Sequence, residues 1–145
     1  MAGALNLKII TPDRIVLDEQ VEEVSAHAID GAFQVLPNHE PLITALAVDV
    51  IRYKTQGVEH SAAVMGGLFE VGENNITVLS DLAELDTEID AARAHDEKAK
   101  AEADKITKTD KIDLYLSEMA LSKAMARLKA VELGNRRRRG GMHNV

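Results

Sequence analysis

The sequence predicts an α+β protein: an N-terminal antiparallel β-sandwich over residues 1–84, a C-terminal antiparallel two-helix hairpin over 85–133, and a basic flexible tail over 134–145. Three observations carry that expectation. Short apolar runs with period-2 alternation recur about every 8–12 residues through the first half, the spacing of a sandwich or barrel and not of βαβ units. At Leu85 the apolar period changes to that of a helix, and two helix starts follow. Aromatics make up 3% of the 145 residues and Trp is absent, so the core has to be built from Val, Ile, Leu and Ala.

Taken in order, Leu5, Leu7 and Ile9 alternate, Thr11-Pro12-Asp13-Arg14 turns the chain, and Ile15-Val16-Leu17 forms a second strand. Val24, Ala26 and Ala28 point one way up to Asp30-Gly31, a tight hairpin signal because Gly takes positive φ without steric cost. Residues 32–36 follow. The next segment, Pro37-Asn38-His39-Glu40-Pro41, has two prolines that fix φ and lack N–H donors, so it is a shaped loop. A strand is expected around residues 48–53, then a turn at Lys54-Thr55-Gln56-Gly57 and an alternating run through Val58, His60, Ala62 and Val64. Gly66-Gly67 is read as breaking that run, which resumes over 69–71, turns at Gly72-Glu73-Asn74-Asn75 and ends over 76–79.

Thr87-Glu88-Ile89-Asp90 has capping-box spacing, and Ile89, Ala92, Ala99, Ala103 and Ile106 recur as a narrow helical stripe. Thr107-Lys108-Thr109-Asp110 offers a second start. Ile112, Leu116, Met119 or Ala120, Ala124, Leu128 and Val131 then form a broader apolar face, which Gly134 is expected to end as a C′ residue. A face of alanines packs closely but buries little area, forgoing about 1–2 kcal/mol per contact relative to a large side chain. Such a hairpin is expected to leave its own body at modest cost.

Charge is split along the chain. Residues 1–84 hold 4 Lys/Arg against 13 Asp/Glu, whereas from Lys105 onward there are 10 basic residues against 4 acidic ones. An acidic body with a basic arm implies two partners, or one partner with two differently charged surfaces. The shortage of aromatics leaves no stacking platform for nucleic-acid bases. With no cysteine there is no disulfide framework and no thiolate nucleophile, in keeping with a reducing compartment. The absence of a basic leader and of any long apolar run predicts no targeting peptide and no membrane span.

No P-loop and no strand-G-x-G-x-x-G-helix unit occurs, and the five histidines are dispersed without ligand spacing. The serines lack a nucleophile elbow, so neither catalytic nor metal-ligating residues are expected. Two polar sets stand out: Asp90 with Arg93 at i, i+3, and Lys123 with Arg127 at i, i+4. Brought together across a hairpin they offer three cations and a carboxylate for a phosphate chain; read more plainly, they are solvated surface pairs. Residues 136–139, four arginines, either meet phosphate or acidic protein or form a solvated end. A β-sandwich ligand-binding module with a helical extension stays open as the alternative on these residues alone.

Leu36-Pro37-Asn38-His39-Glu40-Pro41-Leu42-Ile43-Thr44, Gly66-Gly67-Leu68-Phe69-Glu70-Val71 and Asn75-Ile76-Thr77-Val78-Leu79-Ser80-Asp81, in that order and before a helical hairpin, carry a specific likeness. The chain resembles the epsilon subunit of bacterial and plastid F-type ATP synthases, homologous to the mitochondrial delta subunit. The resemblance implies a non-catalytic rotor part of a proton-translocating enzyme, on the cytoplasmic face of a bacterial plasma membrane or the stromal face of a thylakoid, reaching the membrane only through the complex. It implies partners: the gamma subunit and c-ring through Asp30, Gly31, Ala32, Phe33, Gln34 and His39, and the alpha/beta catalytic head when the hairpin extends and blocks hydrolysis. There Lys123, Arg127 and Lys129 would meet an acidic beta-subunit segment. No cofactor is required. A regulatory ATP on the folded hairpin is implied through Ile89, Asp90, Arg93, Ala94, Lys123 and Arg127. Lys123 stands where the family's nucleotide binders carry Arg, a point charge in place of a planar fork, and Gln34 stands where glycine is usual.

Overall fold

The alternation of the first half does build strands, in a computed structural model that describes residues 4–107 and 109–143. They are β1 (Leu5–Ile10), β2 (Ile15–Val21), β3 (Glu23–Ala28), β4 (Gly31–Val35), β5 (Leu42–Thr55), β6 (Val58–Gly72), β7 (Asn75–Leu79) and β8 (Ala83–Leu85), followed by helices α1 (Ala91–Thr107) and α2 (Lys111–His143). Strand order is β2-β1-β7-β6-β5-β3-β4, with β8 pairing the first half of β6. The two long strands run together from Leu42↔Val71 to Thr55↔Val58 and are common to both layers of the sandwich. Between those layers Leu5, Leu7 and Ile9 of β1 meet Val24 of β3, Ala62 and Val64 of β6, and Phe69, which stands edge-on to Phe33 at 4.9 Å and 85°.

Three strand expectations need correction. Gly66 and Gly67 bend β6 without ending it: at φ +76° and +120° they turn the strand from one layer into the other while its pairing with β5 continues. The fifth strand starts at Leu42, directly after the proline loop, and not near Val48. The sandwich is antiparallel except for β1 and β7, which run parallel, Asn6↔Asn75 through Ile10↔Leu79.

The helices form the expected hairpin with different faces and ends. Asp90 is itself the N-cap of α1, its Oδ1 accepting the Arg93 N–H at 3.1 Å, so the capping box at Thr87 is not used; Glu88 instead accepts the Leu85 N–H at 3.1 Å. Asp110 caps α2 through the Ile112 N–H at 2.8 Å. On α1 the buried residues are Ala94 and Ala101, whereas Ala92, Ala99, Ala103 and Ile106 face solvent. On α2 the buried positions are Ser117, Ala124, Ala126, Ala130 and Gly134, while Ile112 and Leu116 are exposed. Gly134 does not stop α2, which continues to His143, so the segment from 134 is helix and not an irregular tail over its described part. Residues 144 and 145, and the side chains from 138 on, Arg138 and Arg139 among them, lie outside the described residues.

Helix α2 lies on the outer face of β5 and β6. Its Ala126 and Ala130 pack on Val50 and Ala63, with Val48, Met65, Ile89 and Leu133 around them.

Candidate functional site

Where the hairpin meets the sandwich, charged side chains from three elements converge. Arg127 of α2 places Nε 2.8 Å from Glu84 of β8 and Nη1 3.1 Å from Glu97 of α1. Glu97 also takes Arg93 Nε at 3.0 Å, an i, i+4 pair. A cavity of about 380 Å³ opens beside them, lined by Asp90, Arg93, Ala94, Glu97 and Arg127. A second hollow of about 400 Å³ between α1 and α2 is lined by Lys123, Arg127, Glu97 and Leu116. Of the nucleotide candidates, Asp90, Arg93, Ala94 and Arg127 therefore share one cavity, and Lys123 lies in the neighbouring one. Ile89 turns away to pack against the sheet. Glu84 and Glu97, which neutralise Arg127, went unread in the sequence; only the Arg93–Glu97 spacing signalled either of them.

Of the positions implied to meet a beta subunit, Lys129 bonds Asp49 of β5 at 2.8 Å, and His27 of β3 stands 3.6 Å from the other oxygen of that carboxylate. Burial acts to raise the Asp49 carboxyl, but the Lys129 bond, the Val50 amide and the charges of Lys129 and His27 together hold it below the usual carboxylate range. On the opposite flank Arg14 grips Glu88 with two bonds of 2.9 and 2.7 Å, and that hydrogen-bonded pairing holds Glu88 below its ordinary value. Past Ala130, Arg137 meets the buried Asp86 at 2.8 Å. Burial pushes the nearby Tyr53 phenol up, and the Asp86 charge adds to that shift.

The rim candidates sit on two separate supports. Asp30 and Gly31 form the tip of the β3–β4 hairpin, pinned by the Ile29 N–H donating to Ala45 at 3.1 Å. Ala32 and Gln34 are exposed along β4, Gln34 reaching Glu23 at 3.2 Å, while Phe33 turns inward onto Phe69. His39 belongs to the proline loop, which the Asn38 N–H ties to the Asn74 side chain at 2.7 Å, at the β6–β7 turn. Register places Ala45, Leu68 and Leu79 side by side on β5, β6 and β7, and with Ile43 they form an exposed apolar row.

Among the described residues no cluster of His, Asp or Glu is placed to hold a metal ion, and no helix is long and apolar enough to cross a membrane. Residues 4–86 match the family described as ATP synthase, Delta/Epsilon chain, beta-sandwich domain, and residues 87–132 its long alpha-helix domain. The chain belongs to the ATP synthase delta/epsilon family. The ATP synthase epsilon chain of Nitratidesulfovibrio vulgaris (strain DP4) is 41% identical over 129 residues, 89% of this chain and 96% of that protein. That of Symbiobacterium thermophilum is 45% identical over 127 residues, 87% of this chain and 91% of that one. In fold the chain is similar to one in a cryo-EM structure of the Euglena gracilis mitochondrial ATP synthase, OSCP/F1/c-ring, with TM-score 0.76 and 22% identity over 88% of this chain and 80% of that one. A Tetrahymena thermophila central stalk/c-ring structure gives TM-score 0.55 at 13% identity over 88% and 96%. The chain is thus an epsilon-type subunit of an F-type ATP synthase, a non-catalytic accessory to the rotary enzyme, with the sandwich-plus-hairpin fold its sequence predicts.

Proposed function

We propose that this subunit works as a rotor part of a proton-translocating enzyme, passing c-ring rotation to the catalytic head and restraining ATP hydrolysis with its hairpin. The sandwich is the foot. Its hairpin tip at Asp30 and Gly31, with Ala32, Phe33 and Gln34, meets the c-ring, and the loop bearing His39 meets gamma. The exposed row of Ile43, Leu68 and Leu79 supports this, since a contiguous apolar strip on an acidic body suits a stable protein contact. The subunit then lies on the cytoplasmic face of a bacterial plasma membrane, or the stromal face of a thylakoid, through its partners.

The hairpin is the brake. What carries this reading is the seating of α2, an alanine contact at Ala126 and Ala130 ringed by ion pairs at Arg127 and Lys129. Small side chains make the seat shallow. On departure the same Arg127 and Lys129, with Lys123, become free cations able to meet an acidic segment of a beta subunit. Deleting residues 87–145 from the assembled complex should raise its ATP hydrolysis while coupled synthesis persists, and unchanged hydrolysis rejects the brake but leaves the foot standing.

A regulatory ATP fits the same scheme in the cavity beside Asp90, Arg93 and Arg127, its phosphates replacing Glu97 as the partner of both arginines. Calorimetric titration with MgATP should give heat that Arg127→Ala abolishes. No heat at millimolar nucleotide returns these residues to structural ion pairs.

A further inference from the structure

The chain runs past the family-matched region, and its first described residues there make a contact of a different kind from the rest of the hairpin. Asp86, just beyond β8, keeps only 4% of its side chain exposed, against 27% for Asp49 and 24% for Glu84, the other sandwich carboxylates that hold α2. Its N–H donates to the Ser61 carbonyl at 3.0 Å, fixing it under the helix. Arg137 Nη1 comes within 2.8 Å of Asp86 Oδ2, 3.2 Å of the Glu59 carbonyl and 3.1 Å of His60 Nδ1. The Ser61 hydroxyl stands between the Ala130 carbonyl at 3.3 Å and Asp86 Oδ2 at 3.5 Å. Ala130, Gly134 and Arg137 share one helix face at i, i+4 and i, i+7. Gly134 leaves the room the carboxylate needs, since a Cβ there would lie 3.2 Å from Oδ2.

We propose that Asp86 and Arg137 form a latch on the last described turns of α2, so that residues beyond position 132 set how readily the hairpin leaves the sandwich. The latch rests on the reading that the hairpin moves. The partly exposed pairs at Asp49 and Glu84 are within reach of water, so losing either leaves a carboxylate that solvent can partly satisfy. Asp86, with 4% of its side chain exposed, has far less access to water. Stripped of Arg137 under a docked helix it is a poorly hydrated charge without its counter-ion, so the docked state loses stability relative to the lifted one, in which water reaches the carboxylate freely. Arg136, one residue earlier, pairs with exposed Glu132 at i, i+4 and, among the described residues, makes no ion pair with Asp86.

Hydrogen–deuterium exchange on the full chain separates the possibilities. Arg137→Gln should speed exchange of the α2 amides around Ala124 to Gly134 by roughly tenfold or more with β1 and β7 unchanged. Adding Asp86→Ala to that variant should restore most of the protection, because no buried charge is left to hydrate. Arg136→Gln should match the parent chain. If α2 opens ahead of the strands in the parent but no faster in Arg137→Gln, or if Asp86→Ala fails to restore protection, the latch is wrong and the mobile hairpin stands. If α2 exchanges only together with the strands in every variant, the mobile hairpin itself is wrong and the latch falls with it.

Discussion

Single residues decide where this fold bends. Gly66 and Gly67 stand in the middle of a strand, where glycine ordinarily weakens pairing, yet they carry β6 from one layer to the other. At Gly67 two constraints coincide: φ is +120°, and an added Cβ would lie 2.1 Å from the Leu79 carbonyl oxygen and 3.0 Å from Ser80 Cα. Both neighbours are backbone, Leu79 as the last residue of β7 and Ser80 tied by its N–H to the Ile10 carbonyl at 3.0 Å, so neither moves aside easily. Gly57, at φ +76° with nothing within 4 Å, meets the conformational constraint alone. Gly67→Ala should therefore cost on the order of 3 kcal/mol of stability and Gly57→Ala about 1 kcal/mol, read from urea denaturation midpoints. Equal losses at the two sites would show that the close approach to Leu79 does not hold the bend.

At the scale of elements, what the sequence made legible and what it hid follow from how local each signal is. Alternation is local, and Leu5, Leu7 and Ile9 are all fully buried as their spacing predicts. The parallel pairing of β1 with β7 joins strands far apart in the chain, and no short pattern encodes it. In α1 alanines occupy several faces, so composition could not choose between them; the Glu97–Arg127 contact turns the Ala94–Ala101 face toward α2. Gly134 carries the local sign of a helix end, but its meaning is tertiary, since Asp86 packs against its Cα side. The candidate site divides in the same way. Arg93, Lys123 and Arg127 were visible as cations on helices, and the carboxylates that restrain Arg127 were not, because Glu84 comes from a strand and Glu97 from the opposite helix.

For the whole molecule, the joint between hairpin and sandwich is electrostatic at its margins, which makes it sensitive to acid. Asp49 joins β5 to α2 through Lys129, and Glu88 joins the β1–β2 turn to the segment before α1 through Arg14. Both carboxyls are held below the usual range, Asp49 with burial opposing its Lys129 bond and Glu88 chiefly by the Arg14 bond. A carboxyl whose folded value is depressed contributes its stability fully above its unfolded value, near 4, and loses it as pH falls through the folded value. The joint should thus be unaffected between neutral pH and about pH 5 and loosen below about pH 4. Because Asp49 and Lys129 are partly exposed, their share is about 1 kcal/mol or less, enough to shift a shallow alanine seat but not to unfold a core of Leu, Val and Ile. Small-angle scattering should report a rise in radius of gyration over that acid range while the far-ultraviolet circular dichroism of strands and helices persists. In Asp49→Asn, which removes the charge at every pH, the rise should begin from an already more open neutral state. A radius constant down to about pH 3, or a dichroism signal lost before the radius grows, would mean that these two carboxylates do not hold the hairpin down.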